Sequence, residues 1–97
     1  MKDRDSDGMS KAAIGKRLQL TREVLGFNQA DFADRCGIAR NTYNQYEMGV
    51  NRPPVEAALK LRELFGLTLD WIYAGDSSAL KYELADKIKG LRAKKSA

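Results

Sequence analysis

Arg40, Asn41, Asn44 and Gln45 stand close enough in sequence to share one side of a helix, and they offer the most specific chemistry in the chain. At 3.6 residues per turn they fall opposite Tyr43, Tyr46 and Glu47. Guanidinium and carboxamide groups can each make two hydrogen bonds to one base edge in the major groove of DNA, arginine with guanine and the amides with adenine. The chemistry expected is therefore reading bases rather than breaking bonds. Around this set lie groups suited to backbone phosphates. Asn28 and Gln29 open a preceding helix, Thr42 shares the reading helix, and Asn51 and Arg52 follow its end.

The elements that must hold these residues are legible in turn. Asn28 is a good N-cap, with Phe27 and Phe32 at the hydrophobic-staple positions on either side. A helix is expected from Gln29, burying Phe32, Ala33 and Cys36 and stopped by Gly37. A second helix follows over about 40–48, with both tyrosines in the core and their hydroxyls at its edge, where one could meet a phosphate. Upstream, Ile14, Leu18, Thr21 and Leu25 predict a helix from about Lys11 that Gly26 closes. Downstream, VNRPP is a loop, and Pro54 suits the first turn of a helix with Val55, Ala58, Leu61 and Phe65 on its buried face. Arg62 intrudes on that face. Thr68 caps a short fifth helix that sends Trp71 and Ile72 into the core, ending at Gly75. In the tail, Ser78 is expected to cap a helix in which Leu80, Leu84, Ile88 and Leu91 align. Gly90 weakens it, so the stripe needs a partner, either the domain's own surface or a second subunit.

The pattern resembles the helix-turn-helix of the Cro and phage-repressor (XRE) family. The matching residues are Asn28-Gln29, Ala33, Gly37-Ile38 and the YExG segment from Tyr46 to Gly49, followed by GLTLDWIYAGD, similar to the last helix of repressor domains. The resemblance covers roughly residues 14–76. It implies an all-α fold, a compact five-helix repressor-like DNA-binding domain, to which this chain adds a C-terminal helix. It also implies that Arg22 and Glu47 form a structural pair locking the first helix to the third. The chain departs from the family at Ala39, where a serine or threonine usually caps the reading helix, and at Met48, where a polar residue often contacts the DNA backbone.

Three regions are expected: a flexible arm over 1–10, the helix-turn-helix domain over 11–76, and a basic helical tail over 77–97. The net charge is +4, with the basic excess in the first helix and the tail, which suits a polyanion. There is no histidine and one cysteine, Cys36. A zinc site, an internal disulfide and a histidine-based triad are excluded by inventory. No metal, cofactor or catalytic residue is expected, and carboxylates such as Asp31 and Asp34 fit solvated helix faces. The start, MKDRDSDGMSK, lacks the apolar segment of a secretion signal, and no run is long enough to span a bilayer, so a cytoplasmic location is expected. The functional expectation is a sequence-specific transcriptional regulator, a repressor by resemblance, binding double-stranded DNA as a homodimer. The alternative is an antitoxin or co-regulator that binds a protein partner through its tail.

Overall fold

A capping side chain or an extended cap residue marks where most of the helices begin. The structure, a computed structural model, describes residues 8–96. Helix α1 spans Lys11–Leu25, α2 Gln29–Cys36, α3 Arg40–Glu47, α4 Val55–Phe65, α5 Leu69–Ala74 and α6 Tyr82–Ser96, with no strand among the described residues. The Ser10 hydroxyl accepts the Ala13 N–H, Asn28 Oδ1 accepts that of Asp31, and the Thr68 hydroxyl accepts that of Trp71. Between α2 and α3 the chain turns on Gly37, at φ 67°, a conformation that a side chain would strain. None of the helices among the described residues is long and apolar enough to cross a membrane.

Helix α1 is the hub. Helices α3, α5 and α6 pack on it, α2 packs on α3 and α4, and α4 meets α5. Ile14, Leu18, Phe32, Tyr43, Leu61, Leu67, Trp71 and Ile72 form the centre, each at most 2% exposed. Burial of side chains of this size stabilises by roughly 1.5–3 kcal/mol each. The staple closes as expected, with the Phe27 and Phe32 rings 5.7 Å apart, and Phe65 stacks on Phe32 at 4.7 Å. Helix α5 is tied to α1 through the Trp71 indole N–H, which donates to Thr21 Oγ1 at 3.0 Å.

Helix α1 comes unusually close to α3 at Gly15. A Cβ there would overlap the Glu47 carbonyl oxygen and stand 2.7 Å from that of Tyr46. Glycine in a helix interior costs about 1 kcal/mol relative to alanine. Here it lets the backbones of two helices touch.

Three expectations about the elements change. Val55 is exposed, because it opens α4 before the helix reaches the core, and Ala57 joins Ala58 and Leu61 inside. Arg62 is exposed, off that face. Ser78 does not cap α6: its N–H donates to Asp76 Oδ1, and Leu80 N–H donates to the Ser77 carbonyl. Asp76 captures the local donor first, so residues 77–80 form a turn and the helix starts at Tyr82. Leu80 plugs the core ahead of α6, Ile88 is buried, and Leu84 and Leu91 pack beside them. The apolar stripe of the tail is thus met by the domain's own α1.

Of the expected arm, residues 1–7 lie outside the described residues. The stretch that follows is anchored. The Gly8 carbonyl accepts from Arg17, the Met9 carbonyl accepts from Arg52, and Ser10 caps α1.

Candidate nucleic-acid interface

Glu47, the last residue of α3, fixes that helix to its neighbours. Arg22 of α1 donates from Nε to Glu47 Oε2 at 2.7 Å and from Nη2 to Oε1 at 3.1 Å, a bidentate pair. Its Nη1 donates to the Phe27 carbonyl at 2.8 Å, and Gln29 Nε2 adds a bond to Oε1 at 2.9 Å. The two ionic side chains are only 11% and 4% exposed. The hydrogen bond to Glu47 raises the Arg22 pKa above its usual value against the opposing effect of burial. One carboxylate therefore joins α1, the start of α2 and the end of α3.

Held this way, α3 buries Tyr43 completely and leaves Tyr46 5% exposed. The Tyr43 hydroxyl is buried without a hydrogen-bond partner, and burial pushes its pKa up. It does not reach the edge, so the expected route from a tyrosine hydroxyl to a phosphate is closed at Tyr43. On the other side of α3, Arg40 and Asn41 are exposed, while Thr42, Asn44 and Gln45 are half-buried. Cys36, beneath α2, is 1% exposed, and burial raises its thiol pKa, which makes it unreactive packing.

Several outward groups are already held. Arg40 donates to Asp34 of α2 from Nε at 3.2 Å and from Nη2 at 2.8 Å, with both side chains more than half exposed. The hydrogen bond from Arg40 keeps the Asp34 carboxyl below its ordinary pKa. Asn51 Nδ2 donates to Gln45 Oε1 at 2.9 Å, which ties the loop after α3 to the outer side of that helix. Arg52 donates to the Met9 carbonyl at 2.9 Å. Asn28 spends its Oδ1 on the cap, and Gln29 spends its amide nitrogen on Glu47. What α2 offers at this end is its first backbone N–H groups, which have no intrahelical acceptor. The start of α3 has no side-chain cap, since Ala39 has nothing to offer.

The role of Asp34 was not visible in the sequence. Only the turn at Gly37 brings its carboxylate to Arg40. Gly15 did carry a signal, a glycine inside an otherwise regular helix, which often marks a close backbone approach.

A helix-turn-helix family profile matches residues 18–72, from α1 to α5, and the chain belongs to this family. It is similar to the transcriptional regulator ImmR of Bacillus subtilis (strain 168), 30% identical over 71 residues, which covers 73% of this chain and 56% of that protein. The prophage-derived regulator YonR of the same strain is 34% identical over 62 residues, 64% of this chain and 57% of YonR. The cryptic phage CTXphi repressor RstR of Vibrio cholerae is 29% identical over 76 residues, 78% of this chain and 68% of RstR. The chain thus spans little more than half the length of the two Bacillus relatives. No solved structure matches it.

Proposed function

We propose that this protein is a sequence-specific DNA-binding transcriptional regulator, acting as a repressor, that lays α3 in the major groove. The observation that carries this reading is the division of α3. Arg40 and Asn41 are exposed and Asn44 and Gln45 half-buried, while Tyr43 and Tyr46 are buried and Glu47 is locked to Arg22. Arg40 suits guanine, and Asn41, Asn44 and Gln45 suit adenine. Asn28, Gln29, Thr42, Asn51 and Arg52 flank that face as phosphate contacts, those of α2 acting mainly through its N-terminal backbone. The names of the relatives, transcriptional regulators and a phage repressor, support the same reading.

One such module buries little surface, so a homodimer on an inverted repeat supplies the affinity, with half-sites about 34 Å apart. The protein works in the cytoplasm and without catalysis. The alternative, a tail that captures a protein partner, is disfavoured because the apolar face of α6 is spent on α1.

Selection from random duplex DNA tests the proposal. One enriched inverted repeat is expected. Arg40→Ala or Gln45→Ala should reduce preference for that site by about ten- to a hundredfold with little change in melting temperature. A protein that enriches no sequence, or variants that discriminate as well as the parent, would overturn it.

A further inference from the structure

Asp34, near the end of α2, grips the first residue of α3. Its Oδ1 accepts from Arg40 Nε at 3.2 Å and its Oδ2 from Arg40 Nη2 at 2.8 Å. The Arg40 and Asp34 side chains are 66% and 52% exposed, so the core does not require the pair. An ion pair this open adds little to stability. A carboxylate beside a surface proposed for DNA also repels phosphates. Its presence there calls for a role other than holding the fold.

The geometry of the fork supplies one. A guanidinium carries its N–H donors in one plane along distinct edges. Asp34 takes the edge made by Nε and Nη2. The edge made by Nη1 and Nη2 meets no acceptor among the described residues, and it has the two parallel donors that guanine O6 and N7 accept. The support beneath Asp34 is firm. Its neighbours Ala33 and Cys36 are buried, and the turn at Gly37 is closed by the Ile38 N–H donating to the Ala33 carbonyl at 2.9 Å. A short side chain on a fixed backbone thus steers a long one. Asp31, one turn earlier on α2, attracts Arg40 through its charge without a hydrogen bond to it.

We propose that Asp34 is a specificity-determining positioning residue, which holds the Nε–Nη2 edge of Arg40 so that the Nη1–Nη2 edge is presented to guanine. This rests on α3 being the helix that reads bases. The carboxylate stays on Arg40 when DNA is bound, and ordering the fork in advance reduces the freedom that Arg40 loses on contact. Its charge acts in the same direction, by weakening binding to duplexes that offer no guanine at that place.

The test is selection from random duplex DNA by the whole protein, by Asp34→Asn, Asp31→Asn and Arg40→Ala, and by the double variant of Asp34→Asn with Arg40→Ala. The parent should require guanine at one base pair of each half-site. Asp34→Asn should relax that preference by about three- to tenfold, as expected for ordering one long side chain beforehand. Preferences at other positions and the melting temperature should not move. Asp31→Asn removes the same charge from the same helix and should leave the guanine preference intact. With Arg40→Ala already present, the change at Asp34 should have no further effect on sequence choice. A parent that enriches no sequence would overturn this proposal together with the DNA reading. A parent and an Asp34→Asn variant that select one site equally sharply would overturn this proposal alone. So would equal relaxation by Asp31→Asn, which would reduce the effect to charge, or an effect of Asp34→Asn that persists alongside Arg40→Ala.

Discussion

Glu47 accepts three hydrogen bonds from two side chains, and its position makes it the residue on which the placement of α3 depends. A buried ion pair is weak evidence for net stability, because both charges lose water when they meet. Removing one partner is another matter. Glu47→Ala leaves the Arg22 guanidinium, 11% exposed as a side chain, with only the Phe27 carbonyl as acceptor. A loss of about 3–5 kcal/mol is expected in urea denaturation. Replacing both partners with apolar residues of similar size, Arg22→Met with Glu47→Leu, should recover much of that loss. If Glu47→Ala melts like the parent, the pair is a surface contact and α3 is held by packing alone. Arg40 and Asp34 differ, being exposed, so their pairing orients a side chain without holding the fold.

Helices α2 and α3 show how much of an element can be read locally and how much cannot. The Asn28 cap, the Phe27–Phe32 staple and the Gly37 stop are all set within a few residues, and each was legible in the sequence. So was the two-sided character of α3, which follows from periodicity alone. Contacts made by folding were harder to see. The approach of α1 to α3 at Gly15, the Asp34–Arg40 pair and the bond between Gln45 and Asn51 all depend on where a turn delivers a side chain. The start of α6 was misplaced for a local reason, because Asp76 and Ser78 can satisfy each other without any helix. Ala39 is the one cap position in α3 that the sequence leaves empty, and the structure has no side-chain bond there. Its φ of −59° and ψ of 138° already suit a capping residue. Ala39→Ser should therefore stabilise the protein by about 0.5–2 kcal/mol, measured by thermal or urea denaturation. No gain would mean that the first turn of α3 is already satisfied by water at no cost.

Across the whole molecule, α1 carries α3 on one set of contacts and the tail on another. The tail is held in two ways. Leu80 and Ile88 are buried, whereas the last turns of α6 rest on Arg92 over the Trp71 ring and on Lys95 paired with Glu23 at 2.7 Å. The hydrogen bond from Lys95 holds the Glu23 carboxyl below its usual pKa, with a further bond from Gln19 acting the same way. A carboxyl whose folded pKa is lowered contributes stability above its unfolded value, about 4.3 for glutamate, and loses it as pH falls through the folded value. Both side chains are at least a third exposed, so the contribution to global stability is small and salt-sensitive. The effect is therefore local. On acidification below about pH 4, residues 92–96 should lose helical backbone chemical shifts while Ile88 keeps its own. In Glu23→Gln the same end should be loosened at every pH. If residues 92–96 stay helical in both cases, the apolar contacts carry α6 to its end, and the ion pair between α1 and the tail does not hold it there.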